Sequence, residues 1–156
     1  GDSFGGYLAA RAAVYEKRLS ACILNPGIVN AASGLDKLKS GFLRRILFFL
    51  KPDLRFKIES RYMRFGAKSF SEMREACQKF NLSGLVDQIT CPTLVIDNED
   101  EHLTKGEAAK LYAELKCPKT YYNFRSDQST GGHCQPFAQF QTQELIFDWL
   151  ERTLKG

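Results

Sequence analysis

Ser3 lies in Gly1-Asp2-Ser3-Phe4-Gly5, a G-x-S-x-G pattern, and Gly6 follows. A serine that attacks a carbonyl carbon needs its Oγ on a very sharp strand-to-helix turn. Glycines two before and two after it are expected to remove side chains that would clash there. The helix that follows points its first amides at the negative charge developing on the attacked oxygen. The backbone N–H of Phe4 is the expected donor. Alone the pattern decides little, since chance supplies one in roughly 5% of chains this long. An acid and then a histidine must follow, each in a loop after a later strand.

The chain has two histidines. His133 stands in Ser129-Thr130-Gly131-Gly132-His133-Cys134, between the last expected strand and the last expected helix. A general base belongs on such a loop, free to shuttle a proton. His102 adjoins the acids and is expected to shape the loop. The stretch Asp97-Asn98-Glu99-Asp100-Glu101-His102 puts four carboxylates in five positions. One of them can serve a histidine, and the residues alone leave open which.

These groups need elements to hold them. Phe4 to Lys17 carries Tyr7, Leu8, Arg11, Ala12 and Tyr15 at helical spacing. Leu19 to Leu24 reads as a short buried strand, stopped by Asn25-Pro26-Gly27. Thr93-Leu94-Val95-Ile96 reads as a buried parallel strand. Thr104 is expected to cap a helix reaching Lys116, with Glu107 as its capping-box partner. Lys119 to Phe124 is a third strand. Gln135 to Leu154 contains an amphipathic helix with Phe140, Leu145, Ile146, Trp149 and Leu150 on its apolar side. The alternation predicts an α/β fold, a parallel sheet with helices on both faces. Residues 1–27 and 90–156 form the expected core. Residues 28–89 form a helical insertion with helices over Leu35 to Leu50, Leu54 to Phe65 and Ser69 to Phe80. Such an excursion is a natural lid. Tyr62, Met63 and Phe65 are its candidate substrate contacts, against the plainer expectation that they pack its own helices.

Composition narrows the classes. With 156 residues, 44% hydrophobic and 26% charged, the chain is that of a soluble globular domain. The net charge of +4 reads as small and spread along the chain, which argues against nucleic acid as a partner. No apolar run reaches membrane-spanning length, so a small-molecule substrate is the expected partner and a membrane is not. A homodimer is left open. Cys22, Cys77, Cys91, Cys117 and Cys134 are odd in number with no CxxC, so reduced thiols and a cytoplasmic setting are expected. No metal and no cofactor is expected.

Beyond these patterns the chain resembles the α/β-hydrolase superfamily. More narrowly it resembles the group of the dihydropseudooxynicotine hydrolases, fungal polyketide-shortening hydrolases and FrsA-like esterases. The resemblance rests on Gly1 to Tyr7, Arg18 to Ile23, Cys91 to Val95, Asp97 to His102, Gly132-His133-Cys134-Gln135 and Ile146 to Leu150. It implies the C-terminal part of such a hydrolase, without the strand leading into Ser3 and without the loop that gives the second oxyanion amide. It also implies a Ser3–His133–acid triad that cleaves an ester, or a carbon–carbon bond of an aromatic or polyketide-like compound. In its G-x-x-D pattern Asn98 takes the glycine place and Glu101 the acid place, with Asp100 as the alternative acid. The group usually has Asp where Glu101 stands. A catalytically inactive binding module on the same scaffold is the alternative class.

Overall fold

The computed structural model describes residues 1–38 and 40–155. The chain divides into two compact units, residues 1–29 with 82–156, and residues 30–81.

In the first unit, α1 (Phe4–Tyr15) leads to β1 (Cys22–Leu24), and later to β2 (Thr93–Asn98), α5 (Glu107–Glu114), β3 (Lys119–Phe124) and α6 (Gln139–Lys155). The three strands pair in parallel, in the order β1-β2-β3. Cys22 lies opposite Thr93, and Asn98 lies opposite Phe124. A run of β-branched and aliphatic residues makes β2 the central strand, and all six of its residues are buried. Leu94 and Ile96 pack with Phe124 and with Trp149 of α6. Val95 alternates to the other face. There Gly27 approaches both Val95 and Leu111 of α5 so closely that a Cβ would stand 3.1 Å from Val95. Helices therefore cover both faces, as the alternation predicts. Tyr7, Ala10 and Val14 give α1 its buried stripe.

Several boundaries differ from the sequence reading, each for a local reason. The first strand is shorter than expected, Cys22–Leu24. Thr104 does not cap α5. Gly106, at φ 87, precedes the helix, and the Thr104 hydroxyl is buried without a partner. The Glu107 carboxylate accepts from the Val29 amide at 3.0 Å. At α6, Gln135 has φ 45 and is buried before the helix begins. Phe140, expected on the apolar side, is 89% exposed.

The second unit holds α2 (Gly41–Leu50), α3 (Pro52–Phe65) and α4 (Phe70–Gln78). The expected helix from Leu35 to Leu50 is broken. A short 3-10 turn runs over Ser33–Leu38, and Ser40 then caps α2 by accepting from the Leu43 amide. Pro52 opens α3, and Gly66 ends it at φ 61. Ser69 caps α4, where its Oγ accepts from the Glu72 amide. A small core gathers around Met73, with Leu35, Ile58, Phe70 and Cys77. The charge is not spread along the chain as expected. Residues 30–81 carry twelve basic against five acidic side chains, and the rest of the chain carries ten against thirteen.

Candidate active site

Ser3 immediately precedes α1 with φ 54 and ψ −125, outside the regions an L residue readily adopts. Such a conformation costs of order 1–3 kcal/mol and persists only where the surroundings over-determine it. Here they do. Asp2 pairs in parallel with Asn25 just past β1. The Ser3 amide donates to the Asn25 carbonyl at 2.7 Å, and the Asn25 amide donates to the Gly1 carbonyl at 2.9 Å. The Asn25 side-chain amide adds a bond to the Asp2 carboxylate at 3.0 Å.

The glycines around Ser3 are not equivalent. A Cβ on Gly1 would stand 2.2 Å from the Gly5 carbonyl oxygen, and one on Gly6 would stand 2.2 Å from the Pro26 carbonyl oxygen. A Cβ on Gly5 would meet nothing within 4 Å. The steric demand thus falls on Gly1 and Gly6, not on the second glycine of the motif as expected. Phe4 is the first residue of α1, and its ring stacks on Tyr7.

The loops after β2 and β3 bring the other groups to the serine. Ser3 Oγ lies 2.8 Å from His133 Nε2. His133 Nδ1 lies 2.6 Å from Glu101 Oε2. The other Glu101 oxygen accepts from the backbone amides of Leu103 at 2.7 Å and Thr104 at 3.0 Å. The three side chains form one hydrogen-bonded chain. Glu101 is buried. Burial pushes its carboxyl up, but the bond and charge of His133 and the two amides outweigh that and hold it below the usual range. For His133 burial works against the charged form. The Cys134 and Glu101 side chains outweigh it and raise the imidazole to about 9.

The other carboxylates face elsewhere. Asp100 accepts from the Ser126 hydroxyl at 2.8 Å, and Glu99 accepts from the Ser126 amide at 2.8 Å. Asp97 accepts from the Tyr121 hydroxyl at 2.7 Å and from the Asn98 amide. His102 turns its Nδ1 to the Asp100 carbonyl at 3.2 Å.

Two residues that the sequence reading passed over belong to this site. Asn25 carries the backbone carbonyl that anchors Ser3. The Cys134 thiol donates to that same carbonyl at 3.3 Å. Their signals were the loop position after β1 and adjacency to His133. All five cysteines are unbridged, and burial raises Cys22 to about 12, which keeps it an inert thiol. Tyr62, Met63 and Phe65 belong to the second unit. Tyr62 and Phe65 pack on its own core, and Met63 is 88% exposed.

The parallel sheet with its flanking helices is an arrangement that solved structures share. The 2,6-dihydroxy-pseudo-oxynicotine hydrolase aligns with 96% of the chain at a TM-score of 0.70 and 19% identity. The fold is that of the α/β-hydrolases. The α/β-hydrolase GrgF from Penicillium sp. sh18 aligns with 99% of the chain, at a TM-score of 0.65 and 16% identity. An acetyl xylan esterase from Paenibacillus sp. R4 aligns with 97%, at 0.61 and 17%. The chain spans 38% of the first protein's length, 61% of the second's and 43% of the third's. No protein-family model matches the sequence, and no curated protein matches it. Among the described residues no helix is long and apolar enough to cross a membrane.

Proposed function

We propose that this chain carries the nucleophile, base and acid of a serine hydrolase that acts on a carbonyl carbon through an acyl-enzyme. The observation that carries the proposal is the hydrogen-bonded order Ser3 Oγ, His133 Nε2, His133 Nδ1, Glu101 Oε2, at 2.8 and 2.6 Å. Ser3 Oγ attacks the carbonyl carbon as His133 Nε2 takes its proton. Glu101 holds the Nδ1–H tautomer and stabilises the imidazolium. The amide of Phe4, next after the nucleophile, is the expected donor to the oxyanion. The leaving group departs with the proton from His133, and water then hydrolyses the acyl-enzyme.

The substrate is a small acyl compound, either an ester or an aromatic or polyketide-like ketone whose expelled carbanion is a stabilised enolate. Two observations support this class: the resemblance in the site stretches, and structural neighbours named as an oxynicotine hydrolase and an acetyl xylan esterase. Five unbridged cysteines support a reducing compartment.

The test is covalent labelling of the full protein with a fluorophosphonate probe. The expected outcome is one labelled site at Ser3, absent in Ser3→Ala, whose hydrolytic rate falls at least about a thousandfold. No labelling of a folded protein would return the chain to the class of inactive binding modules.

A further inference from the structure

The acid loop and the histidine loop meet along a seam, and two of its residues are buried. Asn98 ends β2 and Thr130 stands three residues before His133, and both are almost fully buried. The Asn98 Nδ2 donates to Thr130 Oγ1. The other end of the same amide builds the acid loop, since Asn98 Oδ1 accepts from the Asp100 amide at 2.8 Å. The Asn98 carbonyl accepts from the Glu101 amide at 3.0 Å and closes the turn that presents Glu101. Thr130 does the same for the other loop. Its carbonyl accepts from the Phe137 amide at 3.0 Å, and His133 lies inside the segment so closed. Between these points Gly132 passes the Asp100 carbonyl so tightly that a Cβ would stand 3.1 Å from it.

We propose that Asn98 and Thr130 form a clamp that sets the register of Glu101 against His133, and so act as positioning residues of the hydrolase. This rests on the serine-hydrolase reading. Each residue shapes its own loop through its carbonyl and ties it to the other through its side chain. The side-chain links from Ser126 to Asp100 and to Glu99 are exposed to solvent, and a backbone bond from the Glu99 amide to the Phe124 carbonyl at 2.9 Å joins the strand ends before the two loops diverge. Water competes with the Ser126 links and cannot compete with the buried pair. The bond being positioned, Nδ1 to Oε2, is short and directional. Misplacement by about 1 Å is enough to cost on the order of a hundredfold in rate.

The test uses the full protein with p-nitrophenyl acetate. Thr130→Val keeps the shape and removes the acceptor. It is expected to lower kcat about 10- to 100-fold with little change in KM. The acidic midpoint of kcat/KM should also move to lower pH, because Glu101 then raises the His133 pKa less. Thr130→Ser keeps the hydroxyl and is expected to stay within about threefold of the parent. Asn98→Ala should reproduce the midpoint shift. The proposal is overturned if Thr130→Val keeps its rate and midpoint, or if Thr130→Ser behaves like Thr130→Val. It is also overturned if Thr130→Val and Asn98→Ala both fail to fold while Thr130→Ser folds, since the pair is then structural. Ser3→Ala, measured alongside, separates the two readings. Activity in that variant removes the hydrolase reading itself, and inactivity leaves the clamp to stand or fall on the Thr130 results.

Discussion

In the first unit β2 buries all six of its residues, whereas in the second unit α2 buries none. Both segments are rich in aliphatic side chains, so composition does not make the difference. The first unit stacks helices on both faces of a sheet, and every β2 side chain finds a neighbour. The second is three short helices around one small cluster, and Phe42, Phe49, Leu50, Phe56 and Met63 stay exposed. The charge divides the same way, basic in the second unit and slightly acidic in the first. Strain and buried charge persist only where packing leaves no alternative. Ser3 at φ 54 and the buried Glu101 are accordingly both in the first unit. That unit holds atoms in place, and the second presents a surface.

If the first unit is the positioning one, small chemical changes within it must have large effects. Glu101→Gln keeps the shape and removes the charge. Its kcat should fall on the order of 10⁴-fold, the loss typical of triad-acid removal. Asp100→Asn, one residue away and turned to Ser126, should cost less than about tenfold. Equal losses would place the acid at the wrong residue. The pH profile gives a second reading of the same contact. His133 must be neutral to act as a base, so activity is present above its pKa and lost as pH falls through it. With that pKa raised by Cys134 and Glu101, the acidic limb of kcat/KM should lie above the ordinary imidazole value, about 6.5. In Glu101→Gln a main raising cause is gone, and the limb should move to lower pH.

The turn around Ser3 makes the same demand by steric means. Gly6→Ala drives a Cβ to 2.2 Å from the Pro26 carbonyl oxygen, which is backbone and cannot swing away. A loss of more than about 3 kcal/mol, or failure to fold, is expected. Gly5→Ala meets nothing within 4 Å in α1. It should be neutral or stabilise by about 0.5–1 kcal/mol, since alanine replaces glycine inside a helix. Thermal melts of the two variants decide. Destabilisation by Gly5→Ala as large as that by Gly6→Ala would contradict the geometry around Ser3.

Much of the first unit was legible because its signals are local. The run Thr93 to Ile96 is β-branched and aliphatic, and the chain order of Ser3, carboxylates and His133 matches the order in which strand ends present them. What was not legible depends on non-local partners. Thr104 and Glu107 look like a capping box, but Glu107 is drawn to the Val29 amide 78 residues away. The acid could be narrowed only by resemblance. Whether Asp100 or Glu101 faces His133 depends on a turn closed by Asn98 and on Ser126 taking Asp100, and neither has a signature in spacing. Gly5 and Gly6 look alike in sequence, and only the path of Pro26 tells them apart. In the second unit the break at Ser40 was hidden because Leu35 to Leu50 keeps helical periodicity through it.

Leu94 and Phe49 are both large and apolar. Leu94 is fully buried between β3 and α6, and Leu94→Ala should cost about 2–5 kcal/mol through lost transfer energy and the cavity left behind. Phe49 is 85% exposed on α2. Phe49→Ala removes more atoms, yet it takes almost none of them out of a packed site. The area term vanishes when a side chain is already in water, and alanine is slightly the better helix former. The expected change is within about 0.5 kcal/mol. Urea melts of the full protein measure both. A loss of 2 kcal/mol or more in Phe49→Ala would mean that Phe49 is covered in the full protein, and the second unit would then owe its order to packing beyond its own small core.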